Sequence, residues 1–98
     1  MMAQHDREPR LSDVSRIIKI VTAAAKGTIS CDVAAVPLKL AISQNTNSPN
    51  KHLLAVYSNI KNKLLASPNK KISVRTVILD SRLKDITAEW RMTNAEVD

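Results

Sequence analysis

Lys39, Lys51, Lys61, Lys63, Lys70, Lys71 and Arg75 lie in a stretch, residues 33–79, that contains no Asp or Glu. That stretch carries +7, and the remaining residues, eight basic and nine acidic, sum to −1, so the whole net charge of +6 resides in the middle of the chain. Charge concentrated in this way points to an anionic partner more directly than a high isoelectric point does. The residues between the lysines add to the argument. Asn50, His52, Ser58, Asn59 and Asn62 are neutral donors of the kind that contact phosphate, sugar and base edges. A basic face serving only solubility is the competing reading, but such a face usually intersperses Glu with Lys to gain i,i+4 pairs. The candidate binding residues are therefore Lys51, His52, Asn59, Asn62, Lys63, Lys70, Lys71 and Arg75, within residues 39–75.

Other chemistries find less support. Metal binding needs clustered His, Cys and carboxylates, whereas His5, His52 and Cys31 are far apart in the sequence. A Cys31/His52 nucleophile pair would lack a Gly-rich oxyanion turn, and Cys31 reads more simply as a small buried helix residue. Phosphate-cradling loops need several glycines, and the chain has only Gly27. Asp85 and Glu89, four residues apart, suit ion pairing with Arg82 on a solvated face better than paired acid–base catalysis. No enzymatic activity, cofactor, metal or small-molecule substrate is expected. Single-strand binders stack bases on aromatic rings, and here Tyr57 and Trp90 fall on apolar helix stripes. A duplex fits better, either DNA or double-stranded RNA. In a DNA major groove Asn59 or Asn62 would face adenine; on RNA the same helix would touch phosphates and 2′-hydroxyls.

The elements that must carry these residues are helical. Ninety-eight residues make one small domain. Without Phe, and with a single Gly, the chain must build an aliphatic core and cannot rely on tight hairpins. Residues 1–10 lack apolar periodicity and read as a flexible arm, leaving 11–98 as a single helical domain. A first helix is expected over about 13–26, with Ser12 as N-cap and Gly27 at its C-terminal end. A second, about 31–43, starts at Ser30 with Asp32 in its first turn and is kinked or interrupted at Pro37.

The tetrapeptide SPNK occurs twice, at 48–51 and at 67–70. Ser as N-cap followed by Pro at the first helical position marks a helix start, so two further helices are expected, about 49–66 and 68–93. The fold class is thus all-α, a small four-helix bundle. "KISVRTVIL" is β-branched, and a short strand at 71–79 would give a winged-helix-like alternative. Ile72, Thr76, Leu79, Leu83, Ile86 and Trp90 nevertheless keep helical spacing across it. A helix over 68–93 would run ~38 Å, beyond the ~25–32 Å breadth of a compact chain this size. Its stripe of Leu79, Leu83, Ile86 and Trp90 is therefore expected to bury itself in a second copy, making a homodimer.

Location follows from what the chain lacks. A lone cysteine allows no intramolecular disulfide. No apolar run approaches the ~20 residues of a membrane span, and "RIIKIVTAAAKG" fails as a leader because Lys19 interrupts it and Asp6, Glu8 and Asp13 flank it. A soluble intracellular protein is expected, in cytoplasm or nucleus or nucleoid. The functional expectation is non-enzymatic binding of duplex nucleic acid. The alternative is a helical protein–protein interaction or assembly module that docks through residues 68–93.

Overall fold

The computed structural model describes residues 8–90, and among these the only regular structure is helical. Four helices run in chain order: α1 (Leu11–Lys26), α2 (Cys31–Ser43), α3 (Lys51–Leu65) and α4 (Lys70–Ile86). Helices α1 and α4 pack against each other and against both remaining helices, whereas α2 and α3 meet only sparsely. Thus α2 and α3 flank a central α1–α4 pair. Segment 71–79 lies inside α4, so the strand of the winged-helix alternative does not form. The expected arm, 1–10, lies largely outside the described residues, as do positions 91–93 of the expected fourth helix.

The core is aliphatic with two rings at its edge. Ile17, Val21, Ala24, Leu38, Ile42, Leu53, Leu79 and Leu83 are buried, joined by Tyr57 and Trp90. Alanines at 24, 34 and 41 allow the backbones of α1 and α2 to approach closely. Burial of each large aliphatic side chain contributes about 1.5–3 kcal/mol.

Helix boundaries follow cap chemistry, and here the sequence expectation needs correction. Ser12 is not a cap. The helix begins at Leu11, and the Arg10 N–H donates to Asp13 Oδ2 at 3.1 Å. At α2 the expectation holds: Ser30 Oγ accepts from the Val33 N–H at 3.1 Å. The helix then continues through Pro37 without a break, with that ring exposed to solvent. Ser48 and Ser67 are not the caps of α3 and α4; the asparagine two residues later is the cap in both repeats. Asn50 Oδ1 accepts from the His52 and Leu53 N–H groups at 2.9 and 3.2 Å. Asn69 Oδ1 accepts from the Lys71 N–H at 3.0 Å. Proline keeps the residue before it out of the helical region, and Asn is as good a cap as Ser. The start therefore falls after the proline.

The far end of α4 overturns the overhanging helix. At Thr87 the backbone leaves helical geometry, and Thr87 Oγ1 donates back to the Leu83 carbonyl at 2.7 Å. Helical geometry resumes at residues 88–90 after this one-residue interruption, and Trp90 lies in the core, 4% exposed. Leu79 and Leu83 are buried in the chain's own core cluster, and Ile86 is half-buried. The stripe proposed for a dimer seam already has its partners. A helix of seventeen residues spans about 26 Å, which a molecule of this size covers without help.

Candidate nucleic-acid interface

Helix α3 presents one wet face and one dry face. Leu53 and Tyr57 are buried, with Leu64 partly buried beside them, while Lys51, His52, Ala55, Asn59, Asn62 and Lys63 are exposed. Spacings of three and four residues place these exposed positions along one side of the helix, over about 18 Å from Lys51 to Lys63. The turn of residues 66–69 then starts α4, whose exposed Lys70 and Lys71 follow soon after Lys63 in the chain. Lys51, Lys63, Lys70 and Lys71 make no ion pair among the described residues.

Three other cations of the acid-free stretch have found partners. Lys39 pairs with Glu89 at 3.3 Å. Lys61 lies 3.5 Å from Asp80 Oδ1 and stands over the Tyr57 ring, 5.7 Å from its centroid. Arg75 was expected to bind nucleic acid but caps α1 instead. Its Nη1 donates to the Lys26 carbonyl at 3.1 Å, and the guanidinium lies against Gly27, where a Cβ would come within 2.5 Å of it. Gly27 also has φ +83°, so this position suits glycine on two counts. The stretch is acid-free along the chain but not in space. Acids from α4 and beyond fold back onto Lys39 and Lys61, and no i,i+4 reading within the stretch could reveal it.

Asp80 sits in the seam between α3 and α4. It accepts from the Tyr57 hydroxyl at 2.6 Å through Oδ1 and pairs with Lys84 at 3.2 Å through Oδ2. Burial works to raise its carboxyl pKa, but the Tyr57 and Lys84 hydrogen bonds and the charges of Lys61 and Lys84 outweigh it and hold the group below its ordinary value. Tyr57 moves the other way. Burial first, then its hydrogen bond to Asp80 and that residue's charge, push the phenol well above its usual range. This cluster fastens α3 to α4 and keeps negative charge away from the outer face of α3.

The remaining reactive candidates are engaged or scattered. The Cys31 thiol donates to the Arg75 carbonyl at 3.3 Å, and burial followed by the nearby Asp32 charge pushes its pKa up. That environment disfavours a thiolate nucleophile. His5 lies outside the described residues; among those described, no three of His, Cys, Asp and Glu are grouped to hold a metal ion. No described helix is long and apolar enough to cross a membrane.

Comparison with family models, with curated proteins and with solved structures finds no match to this chain. The functional reading rests on the residues themselves.

Proposed function

We propose that this chain binds duplex nucleic acid without catalysis, through the outer face of α3 and the start of α4. One observation carries the reading: Lys51, Lys63, Lys70 and Lys71 are exposed without an acidic partner among the described residues, while Lys39 and Lys61, in the same acid-free stretch, are ion-paired. The lysines supply the phosphate contacts, which set affinity and register. Asn59 and Asn62 stand between them as donors and acceptors for sugar or base edges. Both rings of the chain are buried in the core, which leaves no aromatic platform among the described residues for stacking unpaired bases. A duplex remains the better ligand. Arg75, committed to α1, leaves the proposed contact set.

Binding measured against salt tests the proposal. With about three to five phosphate contacts per chain, log affinity should fall against log salt with a slope of about −3 to −5 per chain. Lys51→Glu and Lys63→Glu should each weaken binding to random duplex DNA or RNA while leaving the unfolding midpoint unchanged. Arg16→Glu, on exposed α1 surface, should matter far less. Equal losses at all three positions, or no duplex binding at low salt, would refute the proposal.

A further inference from the structure

Starting a helix uses only the asparagine and the lysine of each SPNK segment. What is left in each copy is a serine followed directly by proline, with a base three positions after the serine. That is the substrate pattern of proline-directed protein kinases. The proline holds the serine's backbone extended and presents no N–H to the enzyme, and the base complements an acidic enzyme surface.

The fold presents the two copies differently. At the first, Ser48 is exposed but Pro49 and Asn50 are buried, so an enzyme cannot reach the proline that identifies the serine. At the second, residues 66–69 form the short connection between α3 and α4. Leu65, Ala66, Pro68, Asn69, Lys70 and Lys71 are all exposed there, with Ser67 half-buried among them. The Ser67 hydroxyl accepts from the Asn69 N–H at 3.1 Å, a bond that is itself exposed and costs little to release. The charge around it is also favourable. Lys63 lies in the last turn of α3, and Lys70 and Lys71 open α4, all three exposed. The start of α4 adds the partial positive charge of a helix N-terminus.

We infer that Ser67 is a phosphorylation site for a proline-directed serine kinase, and that its phosphate switches off the nucleic-acid face. The switch, though not the site, rests on the duplex-binding reading. In the transfer, Ser67 Oγ bonds to the γ-phosphorus of ATP and its proton passes to the kinase's catalytic aspartate. The bond from that phosphorus to the β–γ bridging oxygen breaks, and ADP leaves with the electron pair. The product carries a charge of about −1.5 to −2 near neutral pH. Beside Lys70 and Lys71, this charge offsets about two of the four lysines proposed to contact the duplex, and it repels the duplex phosphates. Losing two phosphate contacts makes the log–log salt slope shallower by about two, a loss of binding on the order of 10–100-fold at ~0.1 M salt. The start of α4 itself is kept, because an anion is favourable at a helix N-terminus.

Treatment of the whole chain with a purified proline-directed kinase, ATP and magnesium, followed by phosphopeptide mapping, tests the site. One phosphate is expected on Ser67, with Ser48 unmodified, and Ser67→Ala should take up none. Phosphate on neither serine, or as much on Ser48 as on Ser67, would overturn the site. Duplex binding before and after modification tests the switch. Affinity should fall 10–100-fold with a shallower salt slope, and the unfolding midpoint should not drop. Ser67→Ala given the same treatment should bind as the untreated parent does. Equal binding by the two forms would overturn the switch and leave the duplex reading standing, and a lowered midpoint would overturn it by tracing the loss to unfolding. If the unmodified chain binds no duplex, the switch falls with that reading, and the phosphate map alone decides the site.

Discussion

The two SPNK segments perform one local task in two environments. In both, asparagine caps a helix and lysine opens it. Around the first copy the chain is closed in: Pro49 is buried and Asn50 is fully buried. Besides its two cap bonds, Asn50 donates through Nδ2 to Gln44 Oε1 at 3.3 Å, and its backbone N–H donates to the Ile42 carbonyl at 3.0 Å. The second copy lies open, with Pro68, Asn69 and Lys70 exposed. Four identical residues therefore set where a helix starts, while the surrounding chain sets how much that start contributes to stability.

The largest expected effect is at the buried copy. Asn50→Ala removes a cap worth about 0.5–2 kcal/mol and leaves the buried Leu53 N–H short of a partner, at about 1–3 kcal/mol. A loss of about 2–4 kcal/mol is expected in chemical denaturation. A loss equal to that of Asn69→Ala would mean that burial adds nothing to the cap.

The helices begun by the two repeats meet at Tyr57 and Asp80, and this joint gives the next effect. Tyr57→Phe removes a hydrogen bond to a carboxylate and should cost about 1–2 kcal/mol near neutral pH. It should also change the acid limb of stability. Because the folded state holds the Asp80 pKa below its unfolded value, its contribution is complete above pH ~4 and is lost as pH falls through the lower folded value. Without the tyrosine hydroxyl that depression shrinks. The midpoint of the variant should then fall less steeply between about pH 4 and pH 2 than that of the parent. Parallel acid limbs in the two proteins would show that the hydroxyl does not set the Asp80 titration.

Asn69→Ala ranks below both. The asparagine is exposed and accepts from one N–H, so about 0.5–1 kcal/mol is expected, the lower part of the cap range. An equilibrium denaturation series of Asn50→Ala, Asn69→Ala and the double substitution would check additivity, since the two caps share no partner.

Much of the helical architecture was legible because it is written locally. Ser30, the 31–43 helix and Gly27 at the end of α1 follow from cap chemistry and apolar spacing alone. The asparagine caps were visible as letters but ranked behind serine, because a Ser-Pro pair and an Asn two residues later both satisfy cap preferences. What was not legible depends on contacts distant in sequence. The interruption at Thr87 has no local signature: its hydroxyl bonds the carbonyl four residues earlier, as that of Thr76 does inside α4 without a break. The return of Trp90 to the core, the pairing of Lys39 with Glu89, and the use of Arg75 to cap α1 join residues 49 or more apart, or lie beyond that interruption. Of the candidate site, the exposed lysines and asparagines of α3 could be read from periodicity.

The smallest effects give the sharpest check on the comparison, because the serines should reverse the order of the asparagines. In the exposed copy, Ser67 Oγ accepts from the Asn69 N–H at 3.1 Å and helps hold the cap residue in place. In the buried copy that role passes to another residue: the Asn50 N–H donates to the Ile42 carbonyl at 3.0 Å, and Ser48 is exposed. Ser67→Ala should therefore cost a few tenths of a kcal/mol, in the range of an exposed hydrogen bond, about 0.5 kcal/mol or less. Ser48→Ala should fall within error of the parent. Denaturant midpoints resolve the order when all four variants are measured side by side: Asn50 above Asn69, but Ser67 above Ser48. If Ser48→Ala proved the costlier of the two serines, the serine before proline would carry the helix start after all, and the asparagine would be a secondary contact.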